Sequence, residues 1–198
     1  MKKVFLYSVL VFLFNTVMAQ SPGVSSSENN TITKGAAVLF KNVPSKLSVA
    51  DKNQIFKQLG FALSGDASQP FALDSESKEY PFAVQILPTD MNKDGYEEIF
   101  VLYGNSYTSG ATGGSVVLFI KNNTGQYHTN LGFPGIPQAL PETKDGYNDL
   151  LIGGPGFDFP LWRWDGKEYA PYKTVKDSEL AKMKVLEISE LSKAYTGN

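Results

Sequence analysis

The stretch Asp90-Met91-Asn92-Lys93-Asp94-Gly95-Tyr96-Glu97-Glu98, running straight into Ile99-Phe100-Val101-Leu102-Tyr103, decides how this chain reads. With Asp90 as position 1, side-chain oxygens fall at positions 1, 3, 5 and 9, on Asp90, Asn92, Asp94 and Glu98. Tyr96 offers its backbone carbonyl at position 7, and Gly95 at position 6 permits the sharp turn. Calcium takes about six to eight hard oxygens from a flexible loop, and this spacing supplies most of them. An EF-hand would also need a bidentate acid at position 12, where Val101 stands inside an apolar, strand-like run. The plan is therefore a cation loop feeding a strand. The same residues could also close an Asx-rich turn, with carboxylates accepting backbone N–H groups.

A degenerate copy follows. Lys144-Asp145-Gly146-Tyr147-Asn148-Asp149 and three apolar residues repeat the pattern of Lys93-Asp94-Gly95-Tyr96-Glu97-Glu98 at an offset of 51. That period is close to one blade of a propeller-type repeat. The two segments resemble the calcium loops of the FG-GAP/VCBS repeats of integrin-like β-propellers. The resemblance implies exported, non-catalytic, repeat-built β structure, with Asp90, Asn92, Asp94, the Tyr96 carbonyl and Glu98 in the metal-ligand places and Ca2+ as the ion. The second copy has Pro141 and Thr143 where the first has Asp90 and Asn92, so a structural turn without metal is expected there. The chain is too short for a full propeller of this kind.

Residues 1–19 read as a signal peptide, with Lys2 and Lys3 ahead of an apolar run and Val17-Met18-Ala19 as the small-residue cleavage site. Without them Lys and Arg number 16 against 20 acids, a net charge of about −4. That balance argues against nucleic acid as a partner, and no membrane span is expected after cleavage. Cysteine is absent, so neither disulfides nor thiol chemistry is available. A periplasmic or secreted protein is expected.

Residues 20–35 are rich in Ser and Asn and read as a flexible leader, and 36–198 as a single β-rich domain. A strand is expected over 36–40. A helix starts at Ser48, with Asp51 three residues on and Gly60 as its stop. Strands follow over 82–87, closed by Pro88, and over 98–103; a Gly/Ser/Thr loop covers 104–115. Strands over 115–121 and 126–133 form a hairpin around Asn122-Asn123-Thr124-Gly125. The residues 134–137 break the pattern. A buried strand covers 149–152, glycines 153, 154 and 156 turn the chain, and a second hairpin runs over 159–164 and 168–172 with Asp165 and Gly166 at its turn. Leu180, Met183, Leu186, Ile188 and Leu191 fit one helix or two short ones. The fold expected is α+β and β-rich: antiparallel sheet built from hairpins, a helix near each end, and propeller-blade-like repeats.

Few other constellations carry chemistry. His128 is the sole histidine and sits in a hairpin strand, which excludes Cys–His catalysis and a conventional zinc site. Acid pairs such as Glu97 with Glu98 are explained by their loops. Trp162 and Trp164 share one strand face by the two-residue period and either pack in the core or form a ligand platform. The function read from the chain is an exported non-enzymatic binding protein whose partner is a protein or a glycan. A hydrolase of polysaccharide or peptidoglycan and a secreted inhibitor or immunity-type protein are the alternatives.

Overall fold

The computed structural model describes residues 31–154 and 158–197. The expected signal peptide, most of the expected leader and part of the glycine turn after Gly154 lie outside the described residues. Helix α1 (Lys34–Leu39) opens the fold, with the Thr33 hydroxyl accepting from the Ala36 N–H as its N-cap. The strand expected over 36–40 is thus a helix. A five-residue apolar run cannot separate the two by periodicity, and here the cap decides. Helix α2 (Val49–Leu59) forms as its sequence demands: Ser48 and Asp51 make a reciprocal capping box, and Gly60 ends it at φ 69°. Strands β1 (Ala62–Leu63) and β2 (Phe71–Ala72) then pair antiparallel.

Strands β3 (Val84–Thr89), β4 (Glu98–Tyr103), β5 (Ser115–Lys121) and β6 (Tyr127–Pro134) form one antiparallel meander, in the order β3-β4-β5-β6. A short α3 (Ser106–Ser109) sits in the β4–β5 connection. A second meander consists of β7 (Ile136–Lys144), β8 (Tyr147–Gly153), β9 (Phe159–Trp164) and β10 (Tyr169–Val175). After α4 (Asp177–Leu180), strand β11 (Leu186–Glu187) adds to the free side of β7, and α5 (Ile188–Thr196) ends the chain. The α+β, β-rich architecture expected from hairpins is the observed one. Both K-D-G-Y segments occupy the same place, between the first and second strands of a four-stranded meander.

Two expectations about proline fail for one reason. Pro88 does not close β3 but pairs within it opposite Ile99, because β3 is the edge strand of its sheet, where a missing N–H costs no ladder bond. Residues 134–137 do not break the sheet structure either. They carry β6 directly into β7 through Gly135, and the β7–β8 pairing absorbs Pro141 in an irregularity between Ala139 and Thr143.

Both sheets are covered on both faces, which is why their strands read as apolar runs rather than as alternations. In β4, Ile99 and Val101 face a layer that contains Ile55 of α2, Phe61, Phe71 and Phe82. Phe100, between them, faces Leu150, Ile152 and Trp164 of the second sheet. In β8, Leu151 turns the other way, toward Leu161, Val175 and Leu180. Ile188 and Leu191 of α5 enter the layer between the sheets. Among the described residues no helix is long and apolar enough to cross a membrane.

Trp162 and Trp164 do share a face, and it is the face turned to the first sheet. Trp164 is 8% exposed and stacks on Tyr147 at 4.1 Å, and Trp162 packs on Phe133 at 5.1 Å. Trp164→Phe keeps an aromatic ring on Tyr147 but leaves a gap, so a loss of about 1–2 kcal/mol in a urea melt is expected. Tyr172→Phe, at an exposed site, should stay within about 0.5 kcal/mol of the parent.

Candidate functional site

The 90–98 loop leaves β3 and returns as β4, with Lys93 at φ 59° and Gly95 at φ 87°. Its own backbone holds each candidate ligand. The Gly95 N–H donates to Asp90 Oδ1 at 3.4 Å, Asp94 N–H to Asn92 Oδ1 at 3.1 Å, and Tyr96 N–H to Asp94 Oδ1 at 2.8 Å. Met91 N–H donates to Glu98 Oε2 at 2.7 Å, and the Thr89 hydroxyl reaches the same oxygen at 3.2 Å. Each side chain is therefore fixed by one or two bonds and retains further lone pairs. The Tyr96 side chain is 57% exposed, so this residue would contribute its carbonyl. Among the described residues no cluster of three or more His, Cys, Asp or Glu is gathered around a point. The set this loop offers is mixed instead: carboxylates, a carboxamide and a carbonyl. In kind it fits calcium.

Hydrogen bonds alone would suit a set of Asx turns equally well, so the charges around the loop are the next feature to weigh. Glu98 is 2% exposed and is the first residue of β4. Burial pushes its carboxyl up to about 8; the Met91 and Thr89 donors oppose that rise, and the Asp94 and Asp90 carboxylates add to it. No ion pair among the described residues involves Glu98. Asp149 aligns with it in the second repeat and is 1% exposed. There Arg163 supplies the cation, with Nε 2.9 Å from Oδ1 and Nη2 2.6 Å from Oδ2. Two buried carboxyl groups occupy matching places, one paired with a guanidinium and the other with no cationic side chain among the described residues. Neighbouring Glu97 is also buried, and it anchors the N-terminal segment by accepting from Ser45 Oγ at 2.6 Å and Lys46 N–H at 2.9 Å.

The second K-D-G-Y segment has a different backbone. Lys144 pairs with Tyr147, so Asp145 (φ 54°) and Gly146 (φ 87°) form a two-residue turn with both φ positive. Pro141 and Thr143 lie in β7. Beside the first loop runs a groove of about 670 Å³ between the hairpin ends of the two sheets; Asn92, Asp94, Asn123, His128, Tyr147 and Trp164 are among the residues that line it. His128 faces it from β6, and its Nδ1 is buried without a partner. The pairing of Arg163 with Asp149 is not among the sequence expectations. A lone arginine in an aromatic strand, with one buried-type acid in the preceding strand, was the available signal.

No protein-family profile, curated protein or solved structure matches this chain.

Proposed function

We propose that the chain is an exported, non-enzymatic binding protein in which calcium, held by the 90–98 loop, fixes one wall of the groove between the two sheets. Asp90, Asn92, Asp94, the Tyr96 carbonyl and Glu98 would hold the ion. When bound, it supplies the positive charge that the loop's carboxylates lack. One observation carries this reading: Glu98 is buried with no cationic side chain paired to it among the described residues, where Asp149 in the matching place has Arg163. The FG-GAP/VCBS-like residue pattern and its recurrence at the same turn of two successive meanders support it. Amides and hydroxyls lining the groove, with the edge of the Tyr147–Trp164 stack between them, suit a hydroxyl-rich ligand, so a glycan is the partner class proposed.

Thermal melts in calcium and in chelator test the reading. Calcium should raise the midpoint, with about 2.7 kcal/mol of added stability at a hundredfold excess over Kd. Asp94→Ala should abolish the rise, and Asp145→Ala in the second repeat should leave it intact. Identical wild-type melts in the two buffers would reduce the loop to a set of Asx turns.

A further inference from the structure

The turn of the second repeat rests on the loop of the first at a proposed ligand, Asn92. Gly146 lies against Asn92 so closely that a Cβ on it would stand 2.8 Å from Asn92 Cα and 3.2 Å from its carbonyl oxygen. Both are backbone atoms, which cannot swing aside. The next residue, Tyr147, accepts from Asn92 Nδ2 through its hydroxyl at 2.9 Å. Asn92 Nδ2 also donates to Asp94 Oδ2 at 2.8 Å. Both amide protons are thereby spent, so Oδ1 is the only atom of the carboxamide left to face a cation, and it keeps a lone pair after accepting from Asp94 N–H. The Tyr147 ring is itself held, stacked on Trp164 at 4.1 Å and edge-on to Tyr169 at 6.1 Å.

We infer that Gly146 and Tyr147 are positioning residues for the cation loop 55 residues upstream, so that the affinity of the first repeat for calcium is set by the second sheet. This rests on the calcium reading above. It gives the second K-D-G-Y turn a role that does not require a metal of its own: its tyrosine orients the carboxamide, and its glycine admits the loop's backbone.

Calorimetric titration of calcium chloride into the purified chain tests this on four proteins. Tyr147→Phe keeps the ring and its stack but removes the acceptor, and should weaken calcium about three- to tenfold, as the loss of one such hydrogen bond predicts. Gly146→Ala should weaken it more, because the loop must move. Gly166→Ala is the control: its φ is +109°, so alanine is strained there too, but nothing lies within 4 Å of the added Cβ. It should lower the melting temperature and leave calcium affinity unchanged. Equal affinity in wild type and Tyr147→Phe would overturn the inference, and so would an equal loss in Gly166→Ala. Absence of any wild-type calcium heat would overturn the underlying reading instead. In chelator, the Asn92 side-chain amide resonance should still shift in Tyr147→Phe, which reads the contact independently of metal.

Discussion

Arg163→Ala is expected to destabilise the protein by about 3 kcal/mol. Removing one partner of a buried pair leaves the other charge uncompensated, at a cost of roughly 3–5 kcal/mol. The lower end applies because the Arg163 side chain is 32% exposed while that of Asp149 is 2% exposed, so water enters from one side only. Part of the loss comes from the guanidinium leaving the Tyr172 ring, 3.8 Å away. Urea melts of the variant and the parent at one pH measure this loss. The double variant Asp149→Leu/Arg163→Met, which has neither charge, should recover most of the loss. A double variant no more stable than Arg163→Ala would mean that packing, and not charge, accounts for the loss.

In the calcium-free wild type the same physics is already present at Glu98. Its folded carboxyl is raised to about 8 from the usual 4.5, the reverse of the common carboxylate case. Its contribution is favourable below the unfolded value and is lost as pH climbs from about 4.5 to about 8; across that span the loss amounts to about 4 kcal/mol. Nearby phenols do not interfere, since burial holds Tyr147 and Tyr169 above their ordinary range and they stay neutral. Asp66, Asp74 and Asp165 are lowered by the hydrogen bonds of their turns, so what they contribute disappears only in stronger acid. In chelator, then, stability should decline between pH 5 and pH 9. Glu98→Gln, which cannot ionise, should flatten that decline and exceed wild type at pH 9. Saturating calcium should flatten it in wild type, because the ion favours the charged carboxylate.

What could be read from the chain was what is local. The Ser48–Asp51 box, the Asn122–Gly125 turn and the Asp165–Gly166 turn each fix their element through neighbours in sequence, and each formed as read. Where the outcome depended on partners far along the chain, reading failed. Residues 36–40 are apolar enough for a strand, but the Thr33 cap starts a helix there, and the packing of Gly35 against the Phe56 ring of α2 seats it. Strand β7 was hidden because Pro137 and Pro141 signal breaks, and its pairing with β8 and β11 overrides them. Leu186 fits a helical pattern yet pairs with Ala139 as a strand. The candidate ligands were legible from their spacing. The burial of Glu98, the guanidinium on Asp149 and the seat of Gly146 on Asn92 were not, since none has a signature shorter than the fold itself.

The most direct measurement is calorimetric titration of calcium into the purified wild-type chain at pH 7, repeated in two buffers of different ionisation heat. At that pH Glu98 is mostly protonated in the calcium-free protein, and coordination requires the carboxylate. The account predicts one calcium per chain and the release of close to one proton with it, with proton release lost in Glu98→Gln. Calcium uptake with no proton exchange, or no uptake at all, would contradict it.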